Sequence, residues 1–153
     1  MRTLLLALLL IAIPELAWSQ SQRTDIRPNA KRIIGDALLA DFMGITHEGA
    51  YNFTDDGEPR RFYTETHHTD GRTTYVENGA SADGALIIRK ETLCFVYDHP
   101  DMQGGCFRVY KVGNCFYYYN AFIPEYADEL ERDYWTARSV KQGESASCEP
   151  GLS

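Results

Sequence analysis

Residue types suited to acid–base or metal chemistry cluster in one short stretch, Glu65, His67 and His68, with His47 and Glu48 some way ahead of it. Successive side chains of a strand point to opposite faces, so Glu65 and His67 share a face and His68 takes the other. His67 and His68 therefore cannot both ligate one metal without a bulge. If the segment carrying His47 lies beside this strand in the right register, His47, Glu65 and His67 form a three-ligand zinc set with an open position. That is the arrangement metal-assisted hydrolysis requires. Without a metal, Glu65 and His67 are the pair an acid–base hydrolase would use. A polar outer face near a hairpin tip accounts for the same residues, and no ligand spacing here is diagnostic. The metal reading is the disfavoured one, and no cofactor is expected.

Other motifs carry less. Gly143-Glu144-Ser145-Ala146-Ser147 approaches a nucleophile elbow but ends in Ser where Gly belongs, so a solvated tail explains it better. Gly104-Gly105 lacks the Lys-Ser/Thr of a phosphate loop. The run Phe116-Tyr117-Tyr118-Tyr119 alternates, which sends Phe116 and Tyr118 to one face and Tyr117 and Tyr119 to the other. One set is expected in the core. The other, with Tyr110 and Arg108, could offer an exposed aromatic platform for a sugar or peptide; packing of every ring beneath the C-terminal segment is the competing reading.

The elements that must position these residues are mostly strands. Three-and-four spacing of Ile33, Ile34, Ala37, Leu38 and Phe42 predicts a helix within 29–44, ended by Gly44; Gly35 weakens its middle, so Asp36 is an alternative start. From 45 the period becomes two. Strands are expected at 45–53, 60–69, 72–77, 85–90, 93–98, 106–111, 115–120 and 135–141, with a short acidic helix at 124–132. Asp70-Gly71 is the strongest hairpin signal, and as a two-residue turn it would pair His67 with Thr74 and Glu65 with Val76. Asn78-Gly79 reads as a break. The fold class is mainly β: an antiparallel meander, as a curved sheet or small barrel, with one N-terminal helix and two disulfides.

Cys94, Cys106, Cys115 and Cys148 have no Cys-x-x-Cys spacing and no partnering His, which favours disulfides over a metal site. A hairpin centred near Pro100 puts Cys94 opposite Cys106, leaving Cys115 to hold the tail through Cys148. The N-terminus follows a secretory pattern: Arg2, an apolar run from Leu4 to Ile13, then Ala17-Trp18-Ser19 as the cleavage signal. The expected organisation is a signal peptide at 1–19, a disordered linker at 20–28, one β-rich domain at 29–148 and a disordered tail at 149–153. The apolar run is too short to span a bilayer, so no membrane span is expected after cleavage. The net charge of -7 disfavours nucleic acid and anionic membrane surfaces as partners.

The order Gly44-Ile45-Thr46, Asp70-Gly71-Arg72, Leu93-Cys94-Phe95-Val96-Tyr97 and Cys106-Phe107-Arg108-Val109-Tyr110 resembles a proteobacterial family of small exported domains of unknown function. The resemblance runs from about Asp36 to Asn120, and implies a periplasmic or secreted protein with a cysteine hairpin but no particular mechanism. The sequence thus leads to a non-catalytic envelope domain that binds a small ligand or a partner protein, with an acid–base or metal-dependent hydrolase as the alternative.

Overall fold

The computed structural model describes residues 26–52, 61–100, 102, 104–123 and 135–148. After a 3₁₀ turn at Arg27–Asn29 come β1 (Lys31–Ile33), α1 (Asp36–Phe42), β2 (Thr46–Tyr51), β3 (Phe62–His67) and β4 (Arg72–Glu77). β5 (Ala80–Ile88), β6 (Leu93–Tyr97), β7 (Gly105–Val112), β8 (Cys115–Asn120) and β9 (Ala137–Lys141) complete the fold. Each strand from β2 to β9 pairs antiparallel with the next, and β9 returns to pair with β2. The result is a closed eight-stranded up-and-down barrel. β1 adds to the free part of the β7 edge, with Ile33 opposite Val109.

Alternation explains which residues fill the interior. β3 sends Tyr63, Glu65 and His67 inward, and β8 sends Phe116 and Tyr118 inward. α1 closes one end: Leu38 and Phe42 are fully buried, and Phe42 stacks on His47 at 4.6 Å and meets Phe116 edge-on at 5.3 Å. Burying these apolar groups under a short helix is the main stabilisation of that end, about 1.5–3 kcal/mol for each large side chain.

A second apolar cluster lies outside the barrel, on the outward face of β7, β8 and β9. Tyr110, Tyr117, Tyr119, Trp135 and Val140 pack there with Cys115 and Cys148, beneath Ile26 and Ala30. The Cys115–Cys148 bridge ties the C-terminal segment to this face, and Asn114 holds it further through Ser145 and Ser147. Cys94 pairs directly with Cys106 in the β6–β7 hairpin and is bridged to it, with Cα atoms 4.0 Å apart.

Several expectations need correction. The helix is confined to Asp36–Phe42, and residues 31–33 are strand rather than helix. Residues 26–28 are not linker, since Ile26 packs on the outer cluster and Arg27 begins the 3₁₀ turn. Asn78-Gly79 is a tight turn with both φ values positive, 50° and 80°, so β5 begins at Ala80 rather than 85. The turn after β3 is one residue longer than expected, with Gly71 at φ 86°, and the register shifts by one: His67 faces Thr73 and Glu65 faces Tyr75. The expected signal peptide, tail at 149–153 and helix at 124–132 lie outside the described residues.

Candidate functional site

Among the described residues a cavity of about 300 Å³ lies at the end of the barrel opposite α1. Its wall is a belt of rings drawn from successive strands. Tyr51 meets Tyr63 at 5.3 Å, Tyr63 stacks on Tyr75 at 5.7 Å, and Tyr75 reaches Tyr97 at 5.1 Å. Phe95 and Phe107, 6.0 Å apart, carry the belt to Tyr118. Small residues let the rings approach. β5 places Ala82 beside Tyr75 and Gly84 beside Tyr97, so the β4 and β6 rings meet across it. Gly49 lies opposite Tyr63, and a Cβ there would fall 2.3 Å from the ring.

Glu65 lines the cavity at depth and is 4% exposed. Burial pushes its carboxyl up from the ordinary 4.5 to about 7, against the pull of two hydrogen bonds. Tyr97 donates to Oε1 at 2.7 Å and Thr73 donates to the same oxygen at 3.0 Å. Among the described residues no bond falls on Oε2. Burial also drives the Tyr75 and Tyr97 hydroxyls well above their usual range, so both stay neutral donors.

The two histidines sit one layer nearer α1. Nε2 of His47 faces the Asp41 carbonyl at 3.1 Å, which can only accept, so Nε2 carries the proton and Nδ1 accepts from Ser139 at 3.0 Å. Tyr118 in turn contacts the Ser139 hydroxyl at 2.7 Å. Thr73 spends its single proton on Glu65 or on the Thr66 carbonyl, so Nδ1 of His67 donates to Thr73 at 3.2 Å. That leaves the buried Nε2 of His67 an acceptor with no partner. Burial lowers His47 to about 4 and His67 to about 3, so both rings are neutral near neutrality.

The residues singled out from sequence thus fall into two groups. Glu65, His67 and His47 do converge, all inside the barrel, with the His47 and His67 rings 5.5 Å apart. They do not form a polar outer face, and only Glu65 lines the cavity. His67 lies against Phe42 and Phe95. Both His47 nitrogens are already bonded, and no group of three His, Cys, Asp or Glu among the described residues is arranged to hold a metal. The exposed aromatic platform is overturned: Tyr110, Tyr117 and Tyr119 are buried at 8%, 2% and 3% in the outer cluster, because the N- and C-terminal segments cover that face. Arg108, on the same strand as Tyr110, hydrogen-bonds the backbone carbonyls of Asn120 and Ala121.

Sequence reasoning missed Tyr51, Tyr63, Tyr75 and Tyr97 as site residues. Their signal was present as aromatic residues at alternating positions of several strands, but only closure of the barrel turns them toward one another. No helix among the described residues is long and apolar enough to cross a membrane. No family model, curated protein or solved structure matches the chain.

Proposed function

We propose that this protein is a non-catalytic, exported small-molecule-binding barrel. The observation that carries the reading is the ring-lined cavity at the end opposite α1, with one buried carboxylate at depth. Eight-stranded barrels either fill with side chains or leave room for one small ligand, and useful pockets begin near 300 Å³ and are mainly apolar with few polar groups. Binding of a small ligand fits this geometry better than docking of an envelope protein, because the groups on offer are inside the barrel. The two disulfides and the N-terminal pattern support a periplasmic or secreted location. N-terminal sequencing of exported protein is expected to begin at Gln20.

The test is binding of N-phenyl-1-naphthylamine, a neutral fluorophore, to wild type and to Ala137→Trp. Ala137 lines the cavity and is nearly buried, so the larger ring occupies ligand space. Saturable fluorescence enhancement in wild type, lost in the variant at unchanged circular dichroism, is the expected result. Absence of binding, or equal binding by the variant, refutes a cavity ligand.

The alternative, an acid–base hydrolase using Glu65 and His67, keeps one supporting observation: a cavity carboxyl poised near neutrality. His67 weakens it, because its ring points into the packed layer beside Phe42 and Phe95. Turnover abolished by Glu65→Gln would establish that reading in place of the first.

A further inference from the structure

Resting on the ligand-binding reading, the geometry points to a small organic cation as the ligand, with its protonated amine on Glu65 and its body against the tyrosine rings. Glu65 is a carboxyl group that is buried with no cation bonded to it among the described residues. Arg61, at the rim, is taken by Glu77 in a two-point contact, with Arg61 Nη2 2.7 Å from Glu77 Oε2. At the α1 end, Lys111 and Lys141 both bind Asp41. No Lys, Arg or His lines the cavity among the described residues.

An ammonium group would meet the open Oε2 oxygen and the negative faces of Tyr63, Tyr75 and Tyr97, the combination that recognises amines elsewhere in proteins. Taking a carboxylate out of water is normally the cost that cancels a buried ion pair, but here folding has already done so. The ligand therefore meets a desolvated, oriented partner. A carboxylate or phosphate ligand would meet repulsion from Glu65 and find no compensating cation. The protein's net charge of -7 adds a long-range attraction of the same sign.

Titratable neighbours do not blur the assignment. Tyr51, Tyr63, Tyr75, Tyr97 and Tyr118 are all shifted upward by burial, and His47 and His67 downward. Glu77, at the rim beyond Tyr75, is raised by burial but held below its ordinary value by Arg61 and Tyr75. Among the described residues that line the cavity Glu65 is the one whose charge changes near neutrality, so amine binding should strengthen as pH rises through its ionisation.

Three probes of one shape separate the outcomes by calorimetry on the full mature chain: 2-phenylethylamine, 2-phenylethanol and phenylacetate. The amine is expected to bind at least about tenfold more tightly than the alcohol, the acid more weakly than either. Glu65→Gln should bring the amine to the level of the alcohol, while Tyr97→Phe, which keeps the carboxylate and the ring, should keep the preference for the amine. If the alcohol or the acid binds as tightly as the amine to wild type, the cation assignment falls while the ligand-binding reading stands. If none of the three binds and the naphthylamine fails too, both fall.

Discussion

Glu65→Gln should remove the pH dependence of stability that the wild-type carboxyl imposes, and the size of the effect follows from its burial. In the folded barrel the group titrates at about 7 rather than 4.5, so between those values the native state holds a proton that the unfolded chain has released. Stability falls with pH wherever the native state binds more protons. The contribution of Glu65 is thus fully present below 4.5 and is lost as pH rises through 7. Each tenfold change in proton affinity is worth 1.36 kcal/mol, which makes the loss about 3 kcal/mol between about pH 4 and about pH 8. Gln keeps the shape and a hydrogen-bonding oxygen but cannot ionise. Urea unfolding at several pH values, with disulfides intact, gives the free energy of each form by linear extrapolation. The difference between variant and wild type should move in favour of the variant by about 3 kcal/mol across that range. The absolute curves also carry the histidines, but these cancel in the difference. A difference flat with pH would show that Glu65 ionises in the fold as it does in the unfolded chain, and would remove the premise that the fold leaves it without solvent or counter-charge.

Other consequences are equally specific. His47 and His67 are depressed to about 4 and about 3, so the unfolded chain takes up their protons first and stability present above 6.5 drains away as pH falls toward those values; acid titration by circular dichroism should show unfolding that His67→Phe, with His47 intact, shifts to lower pH. Gly49→Ala should destabilise by more than an ordinary surface change, on the order of 2–4 kcal/mol in urea melts, because the added carbon meets the Tyr63 ring and the Arg138 carbonyl at 2.6 Å. Replacing Cys115 and Cys148 together by Ser should cost about 2–4 kcal/mol in thermal or urea unfolding and expose the outer cluster to proteolysis near Cys148, while leaving naphthylamine binding intact.

Local signals in the sequence reached the fold well where chemistry constrains a short stretch of chain. Pro100 between two cysteines 12 residues apart fixed the Cys94–Cys106 partner, and the period-two pattern separated Tyr117 and Tyr119 from Phe116 and Tyr118 correctly. The failures came from information that is not local. Alternation says which rings share a face but not what covers it, and the cover over Tyr117 and Tyr119 comes from both ends of the domain. The turn at Asp70-Gly71 was found, yet a third loop residue shifts every pairing along β3 and β4 by one. β5 was half missed because Ala80-Ser81-Ala82-Asp83-Gly84 has weak strand propensity.

That same weak stretch is what lets the rings of β4 and β6 meet, Tyr75 and Tyr97 lying 5.1 Å apart across it. In a barrel of eight strands the interior has only enough width for its side chains, so a cavity requires positions where volume is withheld. At the α1 end none is withheld: Phe42, Phe116, Leu93 and His47 fill the layer with no exposure. Toward the other end Ala137 lines the cavity with Glu65, while the space left by Gly49 and Gly84 is taken up by the Tyr63 ring and the Val96 carbonyl. A residue chosen for strand propensity at Gly84 would meet the Val96 carbonyl at 2.2 Å from its Cβ, so this low-propensity strand is a requirement of close strand approach. The poorest strand in the sequence therefore lies beside the most informative part of the barrel, and composition alone could not have separated a loop there from the thin wall of a binding site.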